Sequence, residues 1–337
     1  MSFTIGQTPP ILFCVFNRLD YTKQVFAKIR KAQPKQLFVA ADGPQKNKEN
    51  DAVLCQETRD WIVANVDWDC DLKLLFAGRN MGCSMTMKSA IDWFFFNVEE
   101  GIILEDDCVV ADCFFDFCGI MLDKYRNCPE VMVVTGHGVL DRESSVKKSD
   151  YVFGKGYFNE FAIATWRRAW QKNDYHLGKW PEFKQKEIYN FHQDKEVVEC
   201  LYGEIERNYR EGYCWGKNWM QNIIMNNGFY ISPIGNLVKN IGIIGVHDIS
   251  ETSGLLNHKT VEFDLENLKH PSKIESDEEL FQKQFYQKKN QQLCKKNSLL
   301  TKISKNKKVK IFRYIILSII VWESLRFITK LIFCNNC

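Results

Sequence analysis

Four short apolar runs alternate with segments of helical periodicity in the first third of the chain. Between the first two runs, for example, Val25, Phe26 and Ile29 form one helical face, and Pro34 ends the segment. A strand–helix alternation of this kind predicts an α/β fold, a parallel sheet covered by helices on both faces. The predicted strands are residues 11–16, 37–41, 72–76 and 102–104.

Polar residues follow each predicted strand directly. In open α/β sheets, ligands bind beyond the carboxyl ends of the strands, so these residues are candidates for one shared site. Taken singly, each has a structural explanation, because Asp42 suits an Asp-Gly-Pro turn and Gly82 permits a tight backbone. A site is favoured because all of them fall at the same end of successive strands. They are Asn17 and Arg18, Asp42, Arg79 and Asn80, and the acids Glu105, Asp106 and Asp107.

The fourth strand ends in three adjacent carboxylates, Glu105, Asp106 and Asp107. Adjacent carboxylates repel one another, so a positive group should compensate them. Oxygen ligands suit a hard cation such as Mg²⁺ or Mn²⁺ better than zinc. Because side chains alternate along an extended chain, Glu105 and Asp107 should point one way and Asp106 the other. A strand that ends in a solvated acidic turn is the alternative.

The composition is that of a globular protein and calls for no nucleic-acid partner. Of the 337 residues, 45% are apolar and 13% aromatic, and the formal net charge is +3. The 13 cysteines show no repeating spacing, which favours free thiols in a reducing cytosol. Residues 1–10 lack a charged region followed by an apolar core, so we expect no signal peptide and a cytoplasmic protein.

The end of the chain differs in character from the rest. Residues 256–300 are polar and become rich in lysine, so a linker is expected there. The apolar stretch at 311–333 is broken by charges, and its uninterrupted core is far shorter than the ~20 residues of a spanning helix. A basic, amphipathic helical tail at 301–337 is therefore predicted to lie on the cytoplasmic face of the inner membrane. The alternative is a helix packed on the chain's own domain or on a second subunit.

The order of the short motifs resembles the nucleotide-binding half of GT-A glycosyltransferases. The likeness is to the family-2-like enzymes and to the N-acetylglucosaminyltransferases with a Glu-Asp-Asp metal motif of the DxD type. It implies a Rossmann-like catalytic domain over residues 1–255, with a nucleotide-binding half at 9–110 and an acceptor half at 111–255. The motifs are Phe-Asn-Arg at 16–18, Ala-Asp-Gly at 41–43, Arg-Asn-Met-Gly at 79–82 and Leu-Glu-Asp-Asp at 104–107, then an acceptor-side segment at 164–170 and a closing segment at 236–242 followed by His247.

The resemblance implies a role for each matching residue. Asp107 would be the catalytic metal ligand, with Asp106 and His247 completing a site for Mn²⁺ or Mg²⁺. Glu105 and Asp106 would also lie near the ribose, and Asp42 would contact the base or ribose. The donor would be a nucleotide sugar, with a UDP-sugar favoured. The remaining donor contacts would be Arg18 and, on the diphosphate side, Arg79, Asn80, Gly82 and Lys88.

The acceptor half departs from the family where inverting members place an acidic general base. Gly216, Lys217 and Asn218 stand where an acid is expected. An amide cannot take a proton from a sugar hydroxyl at neutral pH, so either Glu160 or Glu211 does this work or the enzyme is impaired. Three tryptophans are candidates for stacking on acceptor sugars, with burial in the core as the alternative. They are Trp166, Trp215 and Trp219.

These features predict a bacterial-type, metal-dependent glycosyltransferase of the inverting, hexosyltransferase type. It would move a sugar to a glycan or lipid-linked acceptor in surface polysaccharide synthesis. One alternative is a donor-binding pseudo-glycosyltransferase that acts as a membrane-associated partner, as Asn218 suggests. The other is a sugar nucleotidyltransferase, although the glycine-rich loop of such enzymes is absent after the first predicted strand.

Overall fold

The computed structural model describes residues 3–142, 148–212, 214–242 and 259–289. Contacts divide the chain into two compact units, Met1–Phe285 and Tyr286–Cys337. The tail predicted at 301–337 lies outside the described residues, so its amphipathic helix and membrane binding stay predictions. Among the helices that are described, none is long and apolar enough to cross a bilayer.

The first unit alternates strands and helices along most of its length. Its strands are β1 (Ile11–Val15), β2 (Gln36–Ala41), β3 (Asp71–Phe76), β4 (Glu100–Glu105), β5 (Cys108–Val110), β6 (Val131–Thr135), β7 (Tyr151–Gly154), β8 (Ile163–Trp166), β9 (Phe229–Pro233) and β10 (Val238–Asn240). Its helices are α1 (Leu19–Ala32), α2 (Asp51–Asn65), α3 (Cys83–Asn97), α4 (Phe114–Tyr125), α5 (Arg167–Trp170), α6 (Trp180–Lys186), α7 (Lys195–Glu211) and α8 (Trp215–Met225), with a 3₁₀ turn at Ile188–Asn190. The four strands predicted in the first third of the chain are confirmed.

Eight of these strands form one sheet, in the order β3-β2-β1-β4-β8-β6-β9-β7. Strands β1 to β4, β6 and β9 run in one direction, whereas β8 and β7 run in the other. The predicted α/β fold with a mostly parallel, Rossmann-like sheet is therefore confirmed. From β3 at one edge the chain returns to β4 on the far side of β1, so the ends of β1 and β4 form a topological switch point. In open α/β sheets, ligands bind in such a crevice.

The centre of the sheet is apolar because helices cover both of its faces. All residues of β1 and of β6 are buried. Helix α1 buries Val25, Phe26 and Ile29, and α3 buries Ile91 and Phe94. Continuous apolar strands are typical of sheets covered on both sides. This close packing holds the carboxyl ends of the strands in place, and the polar residues that follow them lie at one rim.

Strands β5 and β10 form a separate antiparallel ribbon next to the acidic triplet. Asn240 lies opposite Cys108 in this ribbon, one residue beyond Asp107. The hydrogen bonding continues past the ribbon, because the N–H of Ile241 donates to the carbonyl of Asp107 at 2.8 Å. The ribbon thus returns a segment from late in the chain to the end of β4.

Residues 259–285 belong to the same compact unit as the eight-stranded sheet, whereas a linker beginning at 256 was predicted. The carboxylate of Glu262 accepts hydrogen bonds of 3.0 and 2.9 Å from the two N–H groups that precede α4. Residues 278–285 are helical, and Phe281 is buried. The segment is polar on average, but a few large apolar side chains are enough to attach it to the core.

Candidate active site

The carboxyl ends of β1 and β4 bring Arg18 and two of the acids into contact. The guanidinium of Arg18 donates to both carboxylate oxygens of Asp106, with its Nε 3.3 Å from Oδ2. Its Nη2 also lies 3.0 Å from Oδ2 of Asp107. The contact with Asp106 joins residues 88 positions apart, and both ion pairs lie at the switch point of the sheet.

The cluster carries more negative charge than Arg18 balances. Burial raises the pKa of Asp106 to about 6, although Arg18 favours its charged form. Burial also raises the pKa of Glu105, and the charges of Asp107, Glu160 and Asp106 raise it further. For Arg18 itself, burial acts to lower the pKa, but its aspartate neighbours raise it overall. A bound cation or hydrogen-bond donor would therefore stabilise this cluster.

Other side chains engage the two predicted metal ligands that the structure describes, Asp106 and Asp107. Within the described residues, no group of three or more His, Cys, Asp or Glu side chains is arranged to hold an ion. Arg18 engages both oxygens of Asp106, and Asp107 pairs with Arg18 and accepts from Asn240. The third predicted ligand, His247, lies outside the described residues. Mn²⁺ or Mg²⁺ therefore stays a prediction, and we assign no chemical step to a metal.

Asp42 holds the loop after β3 in place. Its Oδ1 accepts from the N–H groups of Gly43 and Met81, both at 2.8 Å. Its Oδ2 accepts from Nδ2 of Asn80 at 3.0 Å and from the N–H of Gly82 at 3.1 Å. The side chain is buried and each oxygen already accepts two bonds, so the expected contact of Asp42 with a base or ribose is corrected. Asn80 and Gly82, which were predicted to lie on the diphosphate side, donate their side-chain and backbone N–H groups to Asp42 instead.

A surface cavity of about 900 Å³ opens between the loops that follow β2 and β3. Its lining carries three cations and no acid: Pro44, Gln45, Lys46, Asn47, Lys48, Arg79, Asn80, Met81 and Met85. Lys46 and Arg79 form no ion pair with any residue that the structure describes, and Lys48 lies 3.8 Å from Asp51. The cavity suits an anion with an attached apolar group. Arg79 is among the donor contacts predicted from the sequence, whereas Lys46 and Lys48 are not, although they follow the Asp-Gly-Pro turn at the same rim of the sheet.

Lys88 and Glu211 make no polar contact with the acidic triplet. Lys88 forms an ion pair of 2.5 Å with Asp92, one turn further along α3. Glu211 is the last residue of α7 and is exposed. The structure thus gives no local support for Glu211 as a base, and the predicted role of Lys88 stays a prediction.

Glu160, the other candidate base, reaches the N-terminus of α8. A Cβ added at Gly216, in the first turn of that helix, would lie 2.4 Å from Oε1 of Glu160, so the carboxylate fills the space above the glycine. The charge of Glu160 contributes to the raised pKa of Glu105, after burial and Asp107. A helix N-terminus favours a negative charge, so this position suits a carboxylate. Of the two candidate bases, Glu160 is the one beside the acidic triplet.

Asn218 has a structural role in the first half of α8. It is 3% exposed, and its Nδ2 donates to the carbonyl of Tyr175 at 3.0 Å. The α8 position that faces Glu160 is Gly216, two residues nearer the N-terminus and therefore on another side of the helix. An acid at position 218 would lose this hydrogen bond and place a charge in the core.

The three tryptophans expected to stack on acceptor sugars are core residues. Trp166, Trp215 and Trp219 are at most 4% exposed. The guanidinium of Arg168 covers the ring of Trp166 at 4.3 Å. The ring centroid of Trp219 lies 5.2 Å from that of Trp170. The acceptor-stacking prediction is therefore wrong, because burial leaves no ring face open to a sugar.

No family model matches this chain, and no curated protein matches it. Among solved structures, a cytidylyltransferase from Leptospira borgpetersenii is similar at 12% identity and a TM-score of 0.30, over 57% of this chain and 73% of that one. HddC from Yersinia pseudotuberculosis is similar at 8% identity and a TM-score of 0.29, over 48% and 77%. The glycosyltransferase GlyE from Streptococcus pneumoniae is similar at 13% identity and a TM-score of 0.30, over 57% of this chain and 43% of GlyE. At these values the solved structures carry no argument about function.

Proposed function

We propose that this chain is a glycosyltransferase that moves a sugar from a nucleotide-diphosphate sugar to a hydroxyl of its acceptor. The observation that carries the proposal is the meeting of Arg18, the acidic triplet and Glu160 at the switch point of the sheet. Sugar transfer between oxygens needs an anchor for the charged donor and a base for the acceptor. Both kinds of group lie at this one rim.

Donor binding is assigned to the cations along the rim. Lys46, Lys48 and Arg79 line the cavity between the loops that follow β2 and β3, and Arg18 lies in the crevice at the ends of β1 and β4. A diphosphate is attracted by such a group of positive charges, and arginine adds bidentate hydrogen bonds. The apolar side chains of the cavity would contact the attached nucleoside. A UDP-sugar is the favoured donor on the family resemblance.

Glu160 is assigned as the general base. Its carboxylate would take the proton of the acceptor hydroxyl while that oxygen bonds to the anomeric carbon of the sugar. The bond from this carbon to the diphosphate oxygen breaks in the same step, and the nucleoside diphosphate leaves with the electron pair. Attack opposite the leaving group would invert the anomeric configuration, which is the inverting mechanism predicted from the sequence.

Other parts of the proposal come from the resemblance and from composition. They are the glycan or lipid-linked acceptor, the role in surface polysaccharide synthesis, the Mn²⁺ or Mg²⁺ requirement and the peripheral position on the cytoplasmic face of the inner membrane. The acceptor, the metal requirement and the membrane position are each tested on the full chain, with acceptor extracts, added metal and anionic vesicles respectively.

The test is sugar transfer with a panel of nucleotide sugars and acceptor extracts, with and without Mn²⁺. Glu160→Gln should lower turnover by about 10²-fold or more while donor binding, measured by calorimetry, is kept. Glu211→Gln is the matched control, because it makes the same exchange at an exposed helix end and should retain activity. Full activity in Glu160→Gln would overturn the assignment of the base.

The two alternatives have distinct outcomes in this test. Donor binding without transfer or hydrolysis, across all donors and acceptors, would identify a pseudo-glycosyltransferase. Formation of a nucleotide sugar from a nucleoside triphosphate and a sugar phosphate would identify a nucleotidyltransferase. Either result would replace the proposed function.

A further inference from the structure

The segment that follows β10 lies directly against Asp107. The ribbon of β5 and β10 is extended at both ends, by a hydrogen bond of 2.8 Å from the N–H of Ala111 to the carbonyl of Leu237 and by one of 2.8 Å from the N–H of Ile241 to the carbonyl of Asp107. The backbone from Asp107 to Ala111 is therefore held in register with residues 237–241. This geometry fixes where the next side chains of the segment fall.

The side chain of Asn240 has an orientation set by two contacts. Its Oδ1 accepts from the N–H of Gly242 at 2.8 Å, so its Nδ2 is the end that faces the acid. Nδ2 donates to Oδ1 of Asp107 at 3.3 Å. Asn240 is 5% exposed, so solvent offers little competition for these bonds. The amide thus binds one particular oxygen of Asp107.

Gly242 provides the space for the other oxygen of Asp107. A Cβ added at Gly242 would lie 2.3 Å from Oδ2 of Asp107 and 3.0 Å from its Cγ. The backbone of Gly242 is not in the left-handed region, so the small size of glycine matters here and not its conformational freedom. The same Oδ2 lies 3.0 Å from Nη2 of Arg18. Gly242 therefore permits the pairing of Asp107 with Arg18.

We propose that Asn240 and Gly242 are positioning residues that orient the carboxylate of Asp107. Asn240 binds Oδ1, and Gly242 leaves room for Oδ2 to reach Arg18 and the crevice. The inference rests on the proposed function in one respect, namely that Asp107 acts on the donor. Neither residue needs to touch a substrate, because each acts through Asp107.

A double-mutant cycle tests this dependence on Asp107. Asn240→Ala should lower kcat/KM by about tenfold or more in the wild-type chain. In an Asp107→Asn background the loss should be less than about twofold, because Asn240 acts through the carboxylate of Asp107. A purely structural role would give the same fold-loss in both backgrounds, and that additive result would overturn the proposal. Donor affinity, measured by calorimetry, should show the same non-additivity.

Gly242→Ala tests the steric part. It should lower kcat/KM by about tenfold or more, whereas Gly203→Ala, a control in α7 where a Cβ meets nothing within 4 Å, should not. If Gly242→Ala fails to fold, the double-mutant cycle of Asn240 and Asp107 still tests the positioning of Asp107. Wild-type activity in a folded Gly242→Ala chain would refute the steric role.

A chain that transfers no sugar would refute the proposed function without deciding the positioning. The Asn240–Asp107 cycle is then measured by denaturant unfolding of the full chain. Non-additivity of about threefold or more in the unfolding constant would support the contact, and additive effects would overturn it.

Discussion

Gly216→Ala should separate activity from stability in this protein. The added methyl group would lie 2.4 Å from Oε1 of Glu160, whereas ordinary contacts of this kind begin near 3.4 Å. The carboxylate must therefore move by about 1 Å. Because the colliding atoms, Cγ, Cδ and Oε1, all belong to the flexible side chain of Glu160, the fold can absorb this shift, but the proposed base leaves its position.

The two effects of this substitution have opposite signs. Alanine in place of glycine in a helix favours folding by about 0.5–1 kcal/mol, so we expect an unfolding free energy that is unchanged or slightly higher. A displacement of about 1 Å at a reacting group costs about 10²-fold in rate, or about 2.7 kcal/mol of barrier. The variant should therefore be as stable as the wild type and much slower.

The assay compares kcat, donor affinity and melting temperature in Gly216→Ala, Glu160→Gln and Gly203→Ala. We expect Gly216→Ala to lose kcat with little change in donor affinity, and to add little to the loss in a Glu160→Gln background. Gly203→Ala, in an open helical position, controls for the helix-propensity effect. A folded Gly216→Ala chain with wild-type kcat would refute the reasoning, because it would show that the position of Glu160 does not matter.

Three further predictions concern the rim and the acceptor half. Asp42→Asn should lower the unfolding free energy by about 2–4 kcal/mol in denaturant unfolding, because buried N–H donors lose an acceptor. The exposed control Asp69→Asn should change it little, and equal effects would contradict the role of Asp42 in holding the loop after β3. Arg79→Glu should weaken nucleotide-sugar binding, measured by calorimetry, by about tenfold or more. Lys35→Glu makes the same charge change at the opposite end of the sheet and should leave binding unchanged. Equal losses would show that net charge, and not the cavity, determines the binding. The indole, ammonium and guanidinium groups that donate to Glu206 lower its pKa from 4.5 to about 2, so its contribution to stability is present above pH 4.5 and is lost as the pH falls towards 2. The difference in melting temperature between the wild type and Glu206→Gln should accordingly shrink over this range, and a constant difference would contradict it.

The sequence by itself determined the first half of the sheet and the rim on which the site lies. Apolar runs and helical periodicity are local properties, and they identify β1 to β4 with the helices between them. Parallel strands joined by helices present their carboxyl ends at one rim, so the meeting of Arg18 with Asp106 follows from topology. The antiparallel strands β7 and β8 were not anticipated, because their short buried runs carry no distinctive period.

Only the tertiary structure decided what each polar or aromatic side chain does at that rim. Asp42 is saturated by donors from residues up to 40 positions away, and Asp107 is bound by Asn240 across 133 positions. A single residue type does not reveal such partners, because an aspartate that binds a ligand and one that holds a loop look alike in sequence. Likewise, Trp219 is a core residue because of what packs around it, and Glu160 reaches α8 only because Gly216 leaves room there. Hydrogen-bond saturation and burial are properties of neighbours in space, and folding alone supplies those neighbours.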